Sequence, residues 1–137
     1  MLDNDGSPPN DAPLRAGEVL VFVYGSLLSG QTHHALLGRA RLVGEAHTLP
    51  EYELVDFGEF PALVPGGATR VFGEVYAVDG MTLATLDELE DHPAYYRRTP
   101  VTLEDGAEVQ VYLMSAWQAA GFPRLAAGDW RRRAERV

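Results

Sequence analysis

The apolar positions of the chain fall into short blocks with two periods. Val19 to Tyr24 is a near-continuous apolar run, of a length that suits a buried strand. It stops on Gly25 and Ser26, and a glycine at a strand end marks a turn or the close approach of another backbone or a ligand. "RARLVGEAHTL" alternates and predicts a strand interrupted by Gly44, and "EYELVDF" alternates and predicts another. "RVFGEVYAVD" gives the clearest strand, with Val71, Gly73, Val75 and Ala77 on one face and Phe72, Tyr76 and Val78 on the other. "FPALVPGG" reads as a loop with a short extended piece. "TPVTLEDGAEVQVYLMSA" predicts a β-hairpin turning at Asp105-Gly106. "SGQTHHALLG" predicts a short helix, capped by Ser29 or Thr32 and stopped by Gly38.

"DGMTLATLDELED" is the principal helix, with Asp79 as N-cap and Pro93 as the stop beyond Asp91. At about 100° per residue, with Leu83 at the origin, Leu86 falls at about 300° and Leu89 at about 240°. Glu90 falls at about 340°, inside the apolar stripe, whereas Glu88 lies on the outer face. Roughly six strands and one principal helix make a mixed, mostly antiparallel α+β domain, closed as a small β-barrel with flanking helices.

The chain has 137 residues, which suits one domain. Residues 1–17, "MLDNDGSPPNDAPLRAG", are acidic and proline-rich and read as a disordered leader before a domain at 18–137. They lack the apolar core of a signal peptide, so the expected location is the cytoplasm. No apolar run approaches a membrane span. The formal charge of −9 argues against nucleic acid and anionic membrane as partners. The absence of cysteine excludes disulfides, thiol catalysis and Cys-ligated zinc.

A carboxylate that points coreward is costly unless it is paired, hydrogen-bonded or protonated. Glu90 therefore has two readings. It pairs with Arg97 or Arg98 or bends out to water, or it lines a cavity as a general base. The C-terminal end of the helix and the like charges of Asp87 and Asp91 would push its pKa up, toward the range useful for proton transfer. Other candidates are weaker. His33 and His34 are adjacent and do not face one ligand point, so no metal site is expected and solvated imidazoles are. "YGSLL" lacks the flanking glycines of a nucleophile elbow around Ser26. Trp117 and Trp130 read as packing residues, and of Tyr95 and Tyr96 one ring should face in and one out.

Taken together, "VYGSL" after the first strand and "LDELEDHPAYYRR" much later resemble the gamma-glutamylcyclotransferase-like family, within it the gamma-glutamylamine cyclotransferases and their bacterial relatives. The resemblance runs from about Val19 to Trp130 and takes in "GQTHHALL", "EFPALVPG", "VFGEVYAV", "VYLM" and "AGDW". It is carried most specifically by Glu90, Pro93, Tyr96 and Arg98 in a Glu-x-x-Pro-x-x-Tyr-x-Arg pattern. The resemblance implies that Tyr24, Gly25, Ser26 and Leu27 form the loop that binds a gamma-glutamyl substrate. It implies that Glu90 is the catalytic acid/base and that Tyr112 borders the pocket. The implied reaction releases 5-oxoproline and a free amine from a gamma-glutamyl amine or gamma-glutamyl amino acid, by attack of the α-amine on its own gamma-carbonyl. No metal or cofactor is implied. The rival reading is a non-catalytic module that binds a gamma-glutamyl or other amino-acid ligand on the same loop.

Overall fold

A computed structural model describes residues 14–136. The strands are β1 (Val19–Val23), β2 (Arg41–His47), β3 (Tyr52–Asp56), β4 (Pro61–Pro65), β5 (Phe72–Val78), β6 (Arg97–Thr102) and β7 (Glu108–Leu113); helix α1 is Gly80–Leu89. Short 3-10 helices occupy His34–Leu37 and Trp130–Arg136. Residues 1–13 of the expected leader lie outside the described residues. Residues 14–17 lead into β1 through a turn in which the Glu18 N–H donates to the Arg15 carbonyl.

All the strands join one sheet, in the order β2-β5-β1-β7-β4-β3, with β6 also on β7. Pairing is antiparallel at β1–β5, β2–β5, β3–β4 and β6–β7 and parallel at β1–β7 and β4–β7. The expected mixed, mostly antiparallel α+β class is observed, but the barrel is not. Among the described residues the ends of the path, β2 and β3, are not paired, and the sheet stays open. The cause is a branch at β7. β6 runs along one edge of β7, while on the other β1 is paired at Gln110 and β4 at Leu113. Two strands share one edge in succession, so the sheet splits instead of curling to closure.

β5 is buried along its whole length because it lies between β2 and β1 and both its faces are covered. A Cβ on Gly73 would fall on the Phe22 ring, which explains a glycine inside this strand. The interruption expected in β2 is a shift of register between Leu42 and Gly44. "FPALVPGG", expected as mostly loop, is strand β4, buried from Pro61 to Val64. Its prolines fall on the first and last residues, where they cost the ladder little.

Helix α1 starts as expected, with the Thr82 N–H donating to the Asp79 side chain, and buries Leu86 completely. The early helix is a single 3-10 turn with neither Ser29 nor Thr32 as its cap; Gly38 closes it at φ 58. Trp130 is buried at 2 % exposure, whereas Trp117, expected to pack, is 87 % exposed. Among the described residues no helix is long and apolar enough to cross a membrane.

Candidate active site

A cavity of about 170 Å³ sits at the branch of the sheet. The end of β1 and the loop after it supply Tyr24, Gly25, Ser26 and Leu27, the start of β4 supplies Pro61, and Glu90 closes the site from the end of α1. The five residues with an expected role and Tyr112, the sixth for which the resemblance implies a place, all line one cavity.

Tyr24 shows how the fork is held open. Its hydroxyl donates to the Tyr112 carbonyl of β7 at 2.6 Å and accepts from the Leu63 N–H of β4 at 3.1 Å. That hydroxyl thus both donates and accepts inside the protein. Gly25 answers to the protein as well. A Cβ there would lie 2.6 Å from Pro61 Cγ, so the close approach its sequence position implies is that of β4.

The loop is pinned further along. The Leu28 N–H donates to the Gly25 carbonyl and the His33 N–H to the Ser26 carbonyl. The His34 Nδ1–H donates to the Leu27 carbonyl at 2.9 Å. The buried carboxylate of Glu74 accepts from the Ser29 N–H at 2.9 Å and from its hydroxyl at 2.9 and 3.0 Å. These contacts correct the expectation of solvated imidazoles: His34 is bonded to the loop, and His33 lines the cavity with Nδ1 buried and unpartnered.

Glu90 is the C-cap of α1. The helix stops before Pro93 is reached: Asp91 adopts φ 53, the His92 N–H donates to the Asp87 carbonyl and the Asp91 N–H to the Glu88 carbonyl. This is a Schellman closure with an aspartate in the left-handed position that glycine usually fills. Asp91→Gly should therefore stabilise the fold by about 0.5–1 kcal/mol, read as a higher urea midpoint at unchanged slope. A lower midpoint would mean that the Asp91 side chain contributes more than its backbone strain costs.

The Glu90 carboxylate makes no hydrogen bond or ion pair among the described residues. Burial pushes its pKa from 4.5 to about 7. The rise is expected from the helix C-terminus and the charges of Asp87 and Asp91, and the cause is instead burial. Asp87 is bound by Arg98, whose Nε and Nη2 donate to its two oxygens at 2.8 and 3.1 Å. Burial would raise Asp87, but Arg98 and Tyr112 together hold it below the usual range. Arg98 is thus engaged by Asp87 and does not pair with Glu90.

Phe60, Tyr95, Tyr96 and Tyr112 add aromatic walls, and among the described residues no arginine lines the cavity. Tyr96 is 6 % exposed and Tyr95 40 %, the one-in, one-out arrangement expected, although both rings reach the site. The rings of Phe60 and Tyr95 lie 6.3 Å apart, edge to face, at the rim. Among these residues Phe60 and Pro61 lie in the "EFPALVPG" segment noted in the sequence, His33 in "GQTHHALL" and Glu74 in "VFGEVYAV", but no site role is read for any of the four from the sequence.

A family model described as "Gamma-glutamyl cyclotransferase, AIG2-like" matches residues 21–132. A Vibrio cholerae protein named "Putative gamma-glutamylcyclotransferase" is 48 % identical over 94 residues, 68 % of this chain and 81 % of that protein. A gamma-glutamylaminecyclotransferase of Bos taurus is 51 % identical over 88 residues, 58 % of this chain and 52 % of that protein, so the match spans about half of the bovine enzyme. The crystal structure of an AIG2-like protein from Mus musculus superposes with a TM-score of 0.70 at 30 % identity, covering 80 % of this chain and 86 % of that one.

Proposed function

The chain belongs to the gamma-glutamyl cyclotransferase, AIG2-like family, and on that premise we propose that it releases 5-oxoproline and a free amine from gamma-glutamyl compounds at the cavity around Glu90. The observation that carries this reading is the Glu90 carboxylate: half-buried, unpartnered among the described residues, and set in the same cavity as the loop from Tyr24 to Leu27.

The α-ammonium of the substrate gives a proton to Glu90, and the freed amine attacks the gamma-carbonyl carbon. A carbon–nitrogen bond to the amine of the lactam forms, and the bond to the departing amine breaks. The attacking nitrogen sheds two protons in all and the departing nitrogen gains two, leaving as an ammonium; Glu90 carries protons between them. A pKa near 7 suits both directions of transfer. The amide N–H groups of the loop supply donors for the substrate's oxygens. Holding the amine against its own carbonyl supplies roughly 7–11 kcal/mol of the barrier, and the general base a further factor of about 10²–10⁴. Among the substrates, a gamma-glutamyl amine fits better than a gamma-glutamyl amino acid, because among the described residues no arginine lines the cavity to pair with a second carboxylate.

The test is incubation with gamma-glutamyl amines, gamma-glutamyl amino acids and glutathione, with 5-oxoproline read by mass spectrometry. Release from the amines supports the reading. Ligand-dependent thermal stabilisation without release would favour a non-catalytic binding module.

A further inference from the structure

Arg98 belongs to the motif that carried the resemblance, yet it does not line the cavity. Its three side-chain nitrogens are engaged elsewhere: Nε and Nη2 on Asp87, Nη1 on Gln110 Oε1 at 3.4 Å. Asp87 in turn accepts the hydroxyl proton of Tyr112 at 2.7 Å. Tyr112 is the member of this row that does line the cavity. Glu90 lines the same cavity.

This row fixes the polarity of one wall. A phenol that has given its only proton to Asp87 retains acceptor capacity alone. Tyr96 has likewise given its proton, to the Pro61 carbonyl at 2.7 Å, and Tyr24 is occupied in both senses. Asp87 and Arg98 neutralise one another, so Glu90 is the uncompensated charge at this end of the cavity. The three phenols therefore offer acceptors and no donor. They match a substrate group that has several N–H bonds to give, and mismatch a carboxylate or carbonyl oxygen.

We infer that Tyr112 is a specificity-determining residue that accepts a hydrogen bond from the substrate's α-ammonium, with Asp87 and Arg98 as the positioning residues that orient its hydroxyl. The inference rests on the cyclotransferase reading and adds to it a direction: the α-ammonium lies against Tyr112 and Glu90, and the α-carboxylate lies toward the amides of the loop after Tyr24.

The test compares gamma-glutamyl-n-butylamide with N-butylglutaramic acid, the same molecule without its α-amine. The first is assayed as substrate and the second as a competitive inhibitor, in wild type, Tyr112→Phe and Asp87→Ala. Tyr112→Phe keeps the ring and the backbone carbonyl that Tyr24 uses. Asp87→Ala leaves no acceptor for the phenol proton, which can then turn toward the cavity. In both variants KM for the substrate should rise about tenfold, the loss of one hydrogen bond to a charged group. The Ki of the inhibitor should stay within about twofold of wild type, because it has no ammonium to lose. A merely structural role would move both constants together. A parallel rise in KM and Ki, or no rise in KM in either variant, would overturn the inference while 5-oxoproline release by the wild type still upheld the reaction. No 5-oxoproline from the wild type would overturn both.

Discussion

Glu90→Gln should lower turnover by about 10²–10⁴-fold in a protein that still folds. The amide keeps the shape of the side chain but cannot take a proton from the substrate. The carboxylate has no structural partner to lose: among the described residues nothing bonds to it, and Arg98 is already engaged by Asp87. Glu88→Gln is the control, since Glu88 is exposed on the far face of α1 and should be close to neutral. The same substitution has a signature in stability. In the unfolded chain Glu90 titrates near its ordinary 4.5, in the folded protein near 7. Between those values the folded state holds the extra proton, so the contribution is complete at low pH and is lost as pH rises through about 7. Glu90→Gln should abolish that fall. Equal slopes in wild type and variant, from urea unfolding at several pH values, would show that Glu90 is not buried as described.

Gly25→Val should unfold the protein more easily, by about 1–3 kcal/mol or more, with a drop in melting temperature of several degrees. The reason lies in β4. A Cβ at residue 25 meets Pro61 at 2.6 and 2.7 Å, on a strand that is fully buried at that point. Neither side has room to yield, because Tyr24 ties both neighbouring strands together one residue earlier. Pro61→Ala removes the ring carbons that clash and should recover part of the loss in the double variant. If Gly25→Val melts with the wild type and loses only turnover, the glycine makes room for ligand, as its place in the sequence alone had implied.

The local elements were legible because their signals are local. The Asp79 cap, the phase that turns Glu90 inward and Glu88 outward, the Asp105-Gly106 hairpin and the break in β2 each depend on residues a few positions apart. What was not legible depends on partners far along the chain. The sheet branches because β1 and β4 share an edge of β7, and no periodicity in any of the three records that. β4 was read as loop because its prolines look like punctuation when their neighbours are unknown. The rise in the Glu90 pKa was foreseen with the wrong cause, since Asp87 is silenced by an arginine eleven residues later in sequence. The loop from Tyr24 to Leu27 was legible as a site only through its resemblance to a family. Its clamp by Glu74 spans 45 residues and left no local trace.

The most direct measurement of the central claim, that Glu90 is the base of an intramolecular cyclisation, is the pH dependence of kcat/KM for 5-oxoproline release from a gamma-glutamyl amine. The account predicts a rise with an inflection near pH 7 in wild type and in Glu88→Gln, and its disappearance, with activity reduced throughout, in Glu90→Gln. A Glu90→Gln protein that kept the wild-type profile, or a wild type that released no 5-oxoproline at any pH, would contradict it.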